Sequence, residues 1–378
     1  MFSKPKVAEF FAGSGLVREG LGLWFNTVWA NDFCLRKAEV YKANFGECEL
    51  TVKSIEQVSG GDVPSIDLAW ASFPCQDLSL AGKLAGMKRG SRSGLFWEWL
   101  RVLDEMSEDA KPRVLAIENV VGFLVADDGA HFCNAYFALR ERNYRVGALV
   151  IDAVHFVPQS RPRAFVIAAR NDSEFDGLIA DGPDPLWHPK SVLKAHNAVA
   201  DPDWVWWKLP YPPQSRTQNF ASICEFEAPV NSPDTTKRML KMLSPLNRAK
   251  LDKAIASGKR LAGTGYKRTR RDSNGEKVQR LEIRFDGIAG CLRTPEGGSS
   301  RQVVLIVDNN KVHTRLMTVR EIARLMGAPD SYEIPGSYYD GYKAMGDAVV
   351  APVTACLAEN LLSPLCIRNF YSSAVAAE

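Results

Sequence analysis

The stretch Ser72-Phe73-Pro74-Cys75-Gln76-Asp77-Leu78-Ser79 sets a thiol among polar side chains directly after a short apolar run, Ile66–Ala71. That run reads as a buried strand ending in a turn. Pro74 removes a backbone donor and fixes φ, so Cys75 sits on a stiffened loop at the strand's carboxyl end. In open α/β sheets that edge is where ligands bind. With Gln76, Asp77 and Ser79 beside it, the thiol is presented rather than packed. A lone cysteine is more often a small buried hydrophobe. What sets Cys75 apart is the order of polar residues at the ends of other apolar runs.

Glu118-Asn119-Val120 closes the apolar strand Val114–Ile117. A carboxylate between Ile117 and Val120-Val121 is expected to have its pKa raised by desolvation, which makes Glu118 a candidate proton donor. An exposed glutamate in an ordinary loop is the commoner case for a single Glu. Arg161 and Arg163 follow in Pro158-Gln159-Ser160-Arg161-Pro162-Arg163. Two residues apart in extended backbone, they point the same way, and two guanidiniums on one face suit a phosphate or a carbonyl oxygen. Arginines beside prolines are also common on surfaces.

The elements that must position these groups alternate regularly. Val7–Phe11 is an apolar strand running into Ala12-Gly13-Ser14-Gly15-Leu16, and a helix follows over Val17–Leu23. Strand, glycine turn and helix open a Rossmann-like unit. A dinucleotide fingerprint would need glycine at 18, where Arg18 stands, so a pyrophosphate ligand is disfavoured. The two glycines still let the backbone approach a ligand closely. A second strand, Thr27–Ala30, ends in Asn31-Asp32. Asp32 follows Gly15 at about the spacing of an acid that binds a ribose diol, and it equally suits the N-cap of a helix over Cys34–Asn44. Asp67, opening the third strand, either reaches the same nucleoside or ends the strand without a role. Ala81–Ser93 lacks a hydrophobic period and reads as a lid. A helix over Leu95–Met106 precedes the Glu118 strand. A helix over Ala130–Arg142 and strands over Arg145–Asp152 and Ala164–Ala169 complete the alternation.

At 378 residues and 46% hydrophobic content, the chain is long enough for two domains with a real core. No run of about 18 apolar residues occurs, and Met1-Phe2-Ser3-Lys4-Pro5 has no apolar leader, so a soluble, cytoplasmic protein without a membrane segment is expected. The eight cysteines form no C-x-x-C pair and have no histidine at ligand spacing, so no metal site or disulfide framework is expected. The net charge of +3 is unevenly spread: Lys208–Arg301 holds 19 Lys/Arg against 9 Asp/Glu. That segregation is the electrostatic footprint of a polyanion-binding domain, although a solvated basic face gives the same count. From about Asn171 the alternation stops, and Asp172–Pro213 is rich in Pro, Asp and Trp. Basic side chains interleaved with aromatics suit nucleic acid, while tryptophans more often fill a core. Thr318 with Glu321 forms a capping-box pattern ahead of a helix ending at Met326.

In this order the segments resemble the DNA cytosine-5 methyltransferase family, bacterial restriction-modification or solitary type. Phe11-Ala12-Gly13-Ser14-Gly15 is similar to its first motif, Phe73-Pro74-Cys75-Gln76 to its nucleophile loop, and Glu118-Asn119-Val120 to its glutamate motif. Gln159-Ser160-Arg161-Pro162-Arg163 is similar to its arginine motif. Arg293-Thr294-Pro295 with Gly297-Gly298 resembles the motif closing the target-recognition region, and Gly346-Asp347-Ala348-Val349 the final helix motif. Glu9 replaces the usual aspartate, Leu16 a frequent second glycine, and Asp347 the usual asparagine. The resemblance implies a Rossmann-like S-adenosylmethionine-dependent sheet with helices on both faces, over 1–172 and 339–378. It also implies a smaller, irregular, mainly β target-recognition domain over 173–338.

The implied reaction is methyl transfer to carbon 5 of a flipped-out cytosine in a specific double-stranded DNA sequence, through a covalent Cys75 adduct at carbon 6. The implied catalytic set is Cys75, Glu118, Asn119, Arg161 and Arg163. S-adenosyl-L-methionine would be held by Phe10, Ala12, Gly13, Ser14, Gly15, Asn31, Asp32, Asp67, Leu68, Pro74, Asp347, Ala348 and Val349. DNA would be held by Gln76, Ser79, Lys83, Arg89, Arg92, Arg293, Thr294 and Arg301. A monomer is expected, with a cognate restriction endonuclease encoded separately as a candidate partner. The alternatives within the family are a tRNA cytosine-5 methyltransferase and a catalytically inactive DNA-binding relative. A nicotinamide oxidoreductase leaves Cys75 without a job.

Overall fold

The protein is described by a computed structural model covering residues 3–74, 94–173, 175–212, 218–292 and 301–367. The chain divides into two compact units: Met1–Asp152 with Pro162–Tyr211 and Val349–Glu378, and Ala153–Arg161 with Pro212–Ala348.

The first unit is built on β1 (Lys6–Phe10), α1 (Leu16–Leu21), β2 (Asn26–Asp32), α2 (Leu35–Phe45), β3 (Leu50–Val52), β4 (Leu68–Ala71), α3 (Leu95–Glu105), β5 (Val114–Val120), α4 (Ala130–Arg140), β6 (Tyr144–Asp152), β7 (Pro162–Arg170) and α5 (Lys190–Val199). Its seven-stranded sheet has the order β3-β2-β1-β4-β5-β7-β6. β1 to β5 pair in parallel, and β7 runs antiparallel to both β5 and β6. Strands covered on both faces read as near-continuous apolar runs, as Leu68–Ala71 and Val114–Ile117 do. Ala8 and Phe10 join the core formed with α3 and α4, while Glu9, between them, lies near Arg18 of α1 and Tyr41 of α2. α3 buries Phe96, Trp99, Leu100 and Leu103, the i, i+3, i+4, i+7 stripe of a core-facing helix. β3, three residues long, was not visible in the sequence pattern.

The Trp-rich segment after Asn171 belongs to this unit, so the first unit extends to Tyr211 where the sequence placed a boundary at 172. Trp187, Trp204 and Trp207 are buried, the amide of Val205 donates to the carbonyl of Val146 on β6, and the Trp207 indole donates to the Ile167 carbonyl on β7. These tryptophans fill a core rather than stack on nucleic acid. Gly147 makes the approach feasible: a Cβ there would meet the Val205 carbonyl oxygen and lie 2.9 Å from the Trp207 ring.

The second unit contains α6 (Phe220–Ile223), α7 (Pro233–Leu240), α8 (Pro245–Ala256), β8 (Leu261–Arg271), β9 (Lys277–Arg284), β10 (Gln302–Asp308), β11 (Lys311–Leu316), α9 (Val319–Leu325) and α10 (Tyr338–Asp347). Its sheet is antiparallel, in the order β11-β10-β8-β9. α7 and α8 start on Ser232 and Ser244, whose hydroxyls accept from the amides of Thr235 and Asn247, each serine followed by proline at the first helical position. Met239, Leu251, Leu281, Ile283, Val303, Leu305 and Val307 form its core. The capping box of Thr318 and Glu321 is present, and Glu321 also pairs with buried Arg315 at 2.6 Å. The chain then returns to the first unit as α11 (Ala351–Leu357). The helical stretch Tyr338–Ile367 is long and apolar enough to cross a membrane. It is mostly buried, and extended backbone at Ala348 and Val350 breaks it.

Replacing Gly147 with valine forces a side chain into the Val205 backbone, so we expect a loss of about 2–3 kcal/mol or more in chemical denaturation. An unchanged unfolding midpoint would show that the Trp-rich segment does not pack on β6 in this way.

Candidate active site

From β1 the chain turns to β2 and β3 on one side and to β4 and β5 on the other, so the strand order reverses between β1 and β4. A crevice at the carboxyl ends of the strands on either side of such a switch point is the ligand site of an open α/β sheet. The turns after Phe10, Asp32, Ala71 and Val120 all reach that edge.

The turn after β1 is held by main-chain strain and one carboxylate. Phe11, Gly13 and Gly15 all have positive φ, at 58°, 58° and 84°. A Cβ on Gly15 would lie 2.6 Å from Phe45, so glycine is needed there for packing as well as for conformation. The Asp32 carboxylate accepts from the Gly13 amide at 2.8 Å through one oxygen and from the Cys34 amide at 2.8 Å through the other. Asp32 thus ties the glycine turn to the end of β2 and holds the amide of Cys34, the residue that precedes α2, with lone pairs left on each oxygen. Arg18, standing where a third glycine would be, donates to the Tyr41 hydroxyl at 2.9 Å and to Glu49 at 3.2 Å, and its guanidinium lies 4.9 Å from the Phe45 ring centroid. It clamps α1 to α2. Phe33, next to Asp32, is 70% exposed, and Phe11 packs its ring edge-on to Phe73 at 6.2 Å. Asp32, Phe33 and Phe11 thus offer a diol acceptor and two apolar faces at one strand edge. That donor set fits an adenosine better than a pyrophosphate, which a carboxylate repels.

The turns after β4 and β5 carry the other half. β7 is antiparallel, so its first residues lie at the carboxyl end of β5, with Arg163 opposite Val120 and Phe165 opposite Glu118. Arg163 Nε lies 3.1 Å from Glu118 Oε1, and both side chains are largely buried. The Asn119 side-chain amide donates to the Phe73 carbonyl at 3.2 Å, two residues before Cys75, and its own oxygen accepts from the Val120 amide. Trp70 donates to the Ser72 hydroxyl at 2.8 Å. The segment that leads to Cys75 is therefore fixed to the strand that carries Glu118.

A profile of the C-5 cytosine-specific DNA methylase family matches residues 5–363. The chain belongs to that family. It is 26% identical over 362 residues to the Type II methyltransferase M.Bsp6I of Bacillus sp., covering 94% of this chain and 98% of the relative. It is 28% identical over 369 residues to the Type II methyltransferase M.HhaI of Haemophilus parahaemolyticus, covering 96% and 95%. In fold it is similar to the S. pombe Dnmt2 methyltransferase, with a TM-score of 0.63 at 18% identity over 96% of this chain and 99% of the other.

Within this methylase fold the expected site residues separate. Glu118, Asn119, Arg163, Pro74, Asn31, Asp32 and the Ala12–Gly15 turn gather at the carboxyl edge of the sheet. Asn31 uses its amide to hold the carbonyls of Thr51 and Lys53. Asp67 and Leu68 do not reach this edge. They stand at the amino end of β4, where Asp67 accepts from the Lys6 amide at 2.7 Å, because a strand's first and last residues lie at opposite edges. The Phe10 ring is fully buried against Trp29, so only its backbone can meet a ligand. Arg161 and Arg163 do not share a task. Arg161, 2% exposed, donates to the carbonyls of Leu292, Gly346 and Ala348 and so braces the second unit. Asp347 is exposed at the end of α10; it and Ala348 lie in the second unit, and Val349 lies in the first. Arg301 places its guanidinium 6.0 Å from the Tyr338 ring centroid. Cys75, Gln76, Ser79, Lys83, Arg89, Arg92, Arg293 and Thr294 lie outside the described residues. Sequence reasoning missed Phe33, for which the aromatic directly after a strand-end acid was the available signal.

Glu9 is 1% exposed beneath the glycine turn, and neither oxygen has an aligned hydrogen-bond donor among the described residues. Burial pushes its carboxyl up to about 8, with Arg18 opposing and Asp32 adding to the shift. Below its ordinary value of 4.5 the carboxyl is protonated in folded and unfolded chains alike. Between that value and about 8 only the unfolded chain ionises, so stability falls as pH rises, by at most about 5 kcal/mol. Glu9→Gln should flatten this fall in urea titrations run from pH 5 to 8; parallel curves for the two proteins would show that Glu9 is not held protonated.

Proposed function

We propose that this chain methylates carbon 5 of a cytosine in duplex DNA, with Cys75 as nucleophile and Glu118, Asn119 and Arg163 as its working partners. One observation carries the reading: Asn119 holds the Phe73 carbonyl, and Arg163 pairs with Glu118, on the strand edge from which Pro74-Cys75 departs. The first unit serves as the catalytic and cofactor-binding part, and the second as the target-recognition part.

The target atom lies inside the base stack, so the cytosine must be flipped out, at a cost of a few kcal/mol, with phosphate contacts from the basic second unit offsetting it. The Cys75 thiolate then adds to carbon 6, and the electron pair of the 5,6 double bond moves into the ring toward N3 and O2. Glu118, protonated, donates to N3 and accepts from the 4-amino group, so the displaced charge ends as a neutral enamine with a nucleophilic carbon 5. Arg163, held beside Glu118, faces the O2 oxygen as the developing charge requires. Asn119 fixes the loop that sets the approach of the sulfur. S-adenosylmethionine supplies an electrophilic methyl group to that carbon when bound. Asp32 would hold its ribose hydroxyls, the ring of Phe33 its adenine, and the strained amides of the glycine turn its remaining polar atoms. A base, water serving, removes the carbon 5 proton, the 5,6 double bond re-forms, the Cys75 thiolate leaves, and N3 returns its proton to Glu118.

Both relatives compared above are named Type II methyltransferases. Modification of chromosomal sites in the cytoplasm, by a monomer working beside a separately encoded endonuclease, fits that company.

DNA substituted with 5-fluorocytosine tests the covalent step, because fluorine cannot depart as a proton does. Wild type should form a denaturation-resistant adduct and Cys75→Ser should not; identical behaviour would overturn the assignment. Glu118→Gln should keep DNA binding and lose about 10²–10⁴-fold in single-turnover methyl transfer. Labelled methyl transfer onto plasmid but not onto tRNA is the expected substrate preference. Transfer onto tRNA alone would make the RNA reading correct, and transfer onto neither would mark an inactive relative.

A further inference from the structure

The first unit holds a second cavity, at the amino edge of its sheet and so opposite the edge that carries Asp32 and Glu118. It measures about 460 Å³ and is framed by the chain before β1, the end of α1 and the start of β2. Lys4, Lys6 and Arg18 line it, and among the described residues no Asp or Glu does. Two acids touch these cations without lining the cavity. Glu49 pairs with Arg18 at 3.2 Å, and Asp67 accepts from the Lys6 amide at 2.7 Å.

An irregularity of the sheet sets the inner wall. Val7 pairs with Thr27 but Ala8 pairs with Trp29, so Val28 is an extra residue on β2. Strict alternation would put Thr27 on the Trp29 face, in the core shared with α3. The bulge turns it instead to the face of Val7 and Glu9, the side on which Arg18 lies. Thr27 is 7% exposed, lines the cavity, and has no hydrogen-bond partner for its hydroxyl among the described residues. A buried hydroxyl left unpaired costs stability, which a valine of the same shape would avoid. What the threonine adds at this position is a polar atom facing the cavity.

The other donors are also uncommitted. Arg18 spends Nη1 on Tyr41 and Glu49, while its Nε and Nη2 have no partner among the described residues. The same holds for the Lys6 ammonium. Lys4 donates to the Gly22 carbonyl at 2.7 Å, which latches the chain before β1 onto the end of α1. Two guanidinium N–H positions, an ammonium and a hydroxyl suit a ligand that is all acceptor. A phosphate monoester brings about −1.5 to −2 charge at pH 7 and three acceptor oxygens. Ligand pockets run to about 300–1,000 Å³, so a bare anion would leave most of this one unfilled.

We propose that this cavity binds the phosphate group of a small phosphate monoester, with Arg18 and Lys6 on its charge and the Thr27 hydroxyl on one oxygen. The assignment depends neither on the reaction nor on the DNA reading above. A nucleic-acid backbone presents similar oxygens, and the experiment separates the two sources.

The test is calorimetric titration of the full chain with ribose 5-phosphate, inorganic phosphate and ribose. Ribose 5-phosphate should bind saturably and more tightly than inorganic phosphate, and ribose should not bind. Thr27→Val and Lys6→Gln should each weaken the ester at least about fivefold, with unfolding midpoints no lower than that of wild type. Thr27→Ser and Lys6→Arg, which retain the hydroxyl and the charge, should keep the affinity. Equal affinity in wild type, Thr27→Val and Lys6→Gln would place the phosphate elsewhere, and no saturable binding would remove the site. Ribose binding as well as its ester, or inorganic phosphate binding as tightly, would leave the sugar alone or an adventitious ion only. If the two variants weaken a short DNA duplex as much as ribose 5-phosphate, the oxygens are those of a nucleic-acid backbone. Each of these results overturns the proposal.

Discussion

The 3.1 Å contact between Arg163 and Glu118 exists because β7 runs against the direction of β5. In a fully parallel sheet the first residue of β7 would lie at the amino edge, about 20 Å from the end of β5 for strands of this length. Reversing one strand brings a guanidinium from the beginning of one apolar run beside a carboxyl from the end of another. β6 is antiparallel to β7 in turn, so Asp152 and Pro162 lie at the same edge, and residues 153–161 leave and rejoin the sheet there. Two arginines separated by one proline can then belong to different units and do different work.

The other half of this edge depends on buried charge rather than on strand direction. Asp32 binds two main-chain amides, and Glu9 lies buried behind the turn with its carboxyl protonated up to about pH 8. Two ionised carboxylates this close would repel each other in a low-dielectric surrounding. Holding Glu9 neutral lets Asp32 carry the charge that tightens the glycine turn and remains available to a hydroxyl ligand. Arg18 on the helix side keeps α1 and α2 in register through Tyr41, Glu49 and Phe45.

Much of this edge was legible because its signals are local. The glycine turn and an acid at the end of β2 each follow from short-range backbone chemistry. The capping box at Thr318 and Glu321 was readable for the same reason. The fate of Arg161 and Asp67 was not, because both are decided by strand direction and by partners more than a hundred or about sixty residues away. The tryptophans after Asn171 looked like a new domain until Gly147 opened room for them on β6. In the second unit, a count of charges drew attention away from structural signals that were present. Ser232-Pro233 and Ser244-Pro245 start helices, and Asn274-Gly275, with Gly275 at φ 80°, closes the hairpin of β8 and β9.

The measurement that bears most directly on the paired site is a double-mutant cycle on single-turnover methyl transfer, using Glu118→Gln, Arg163→Gln and the double variant. If the two side chains act as one unit on the same ring, the double variant should be about as slow as the slower single variant. Fully additive losses would mean that Arg163 and Glu118 work on different steps, and that the antiparallel strand is not what assembles the site.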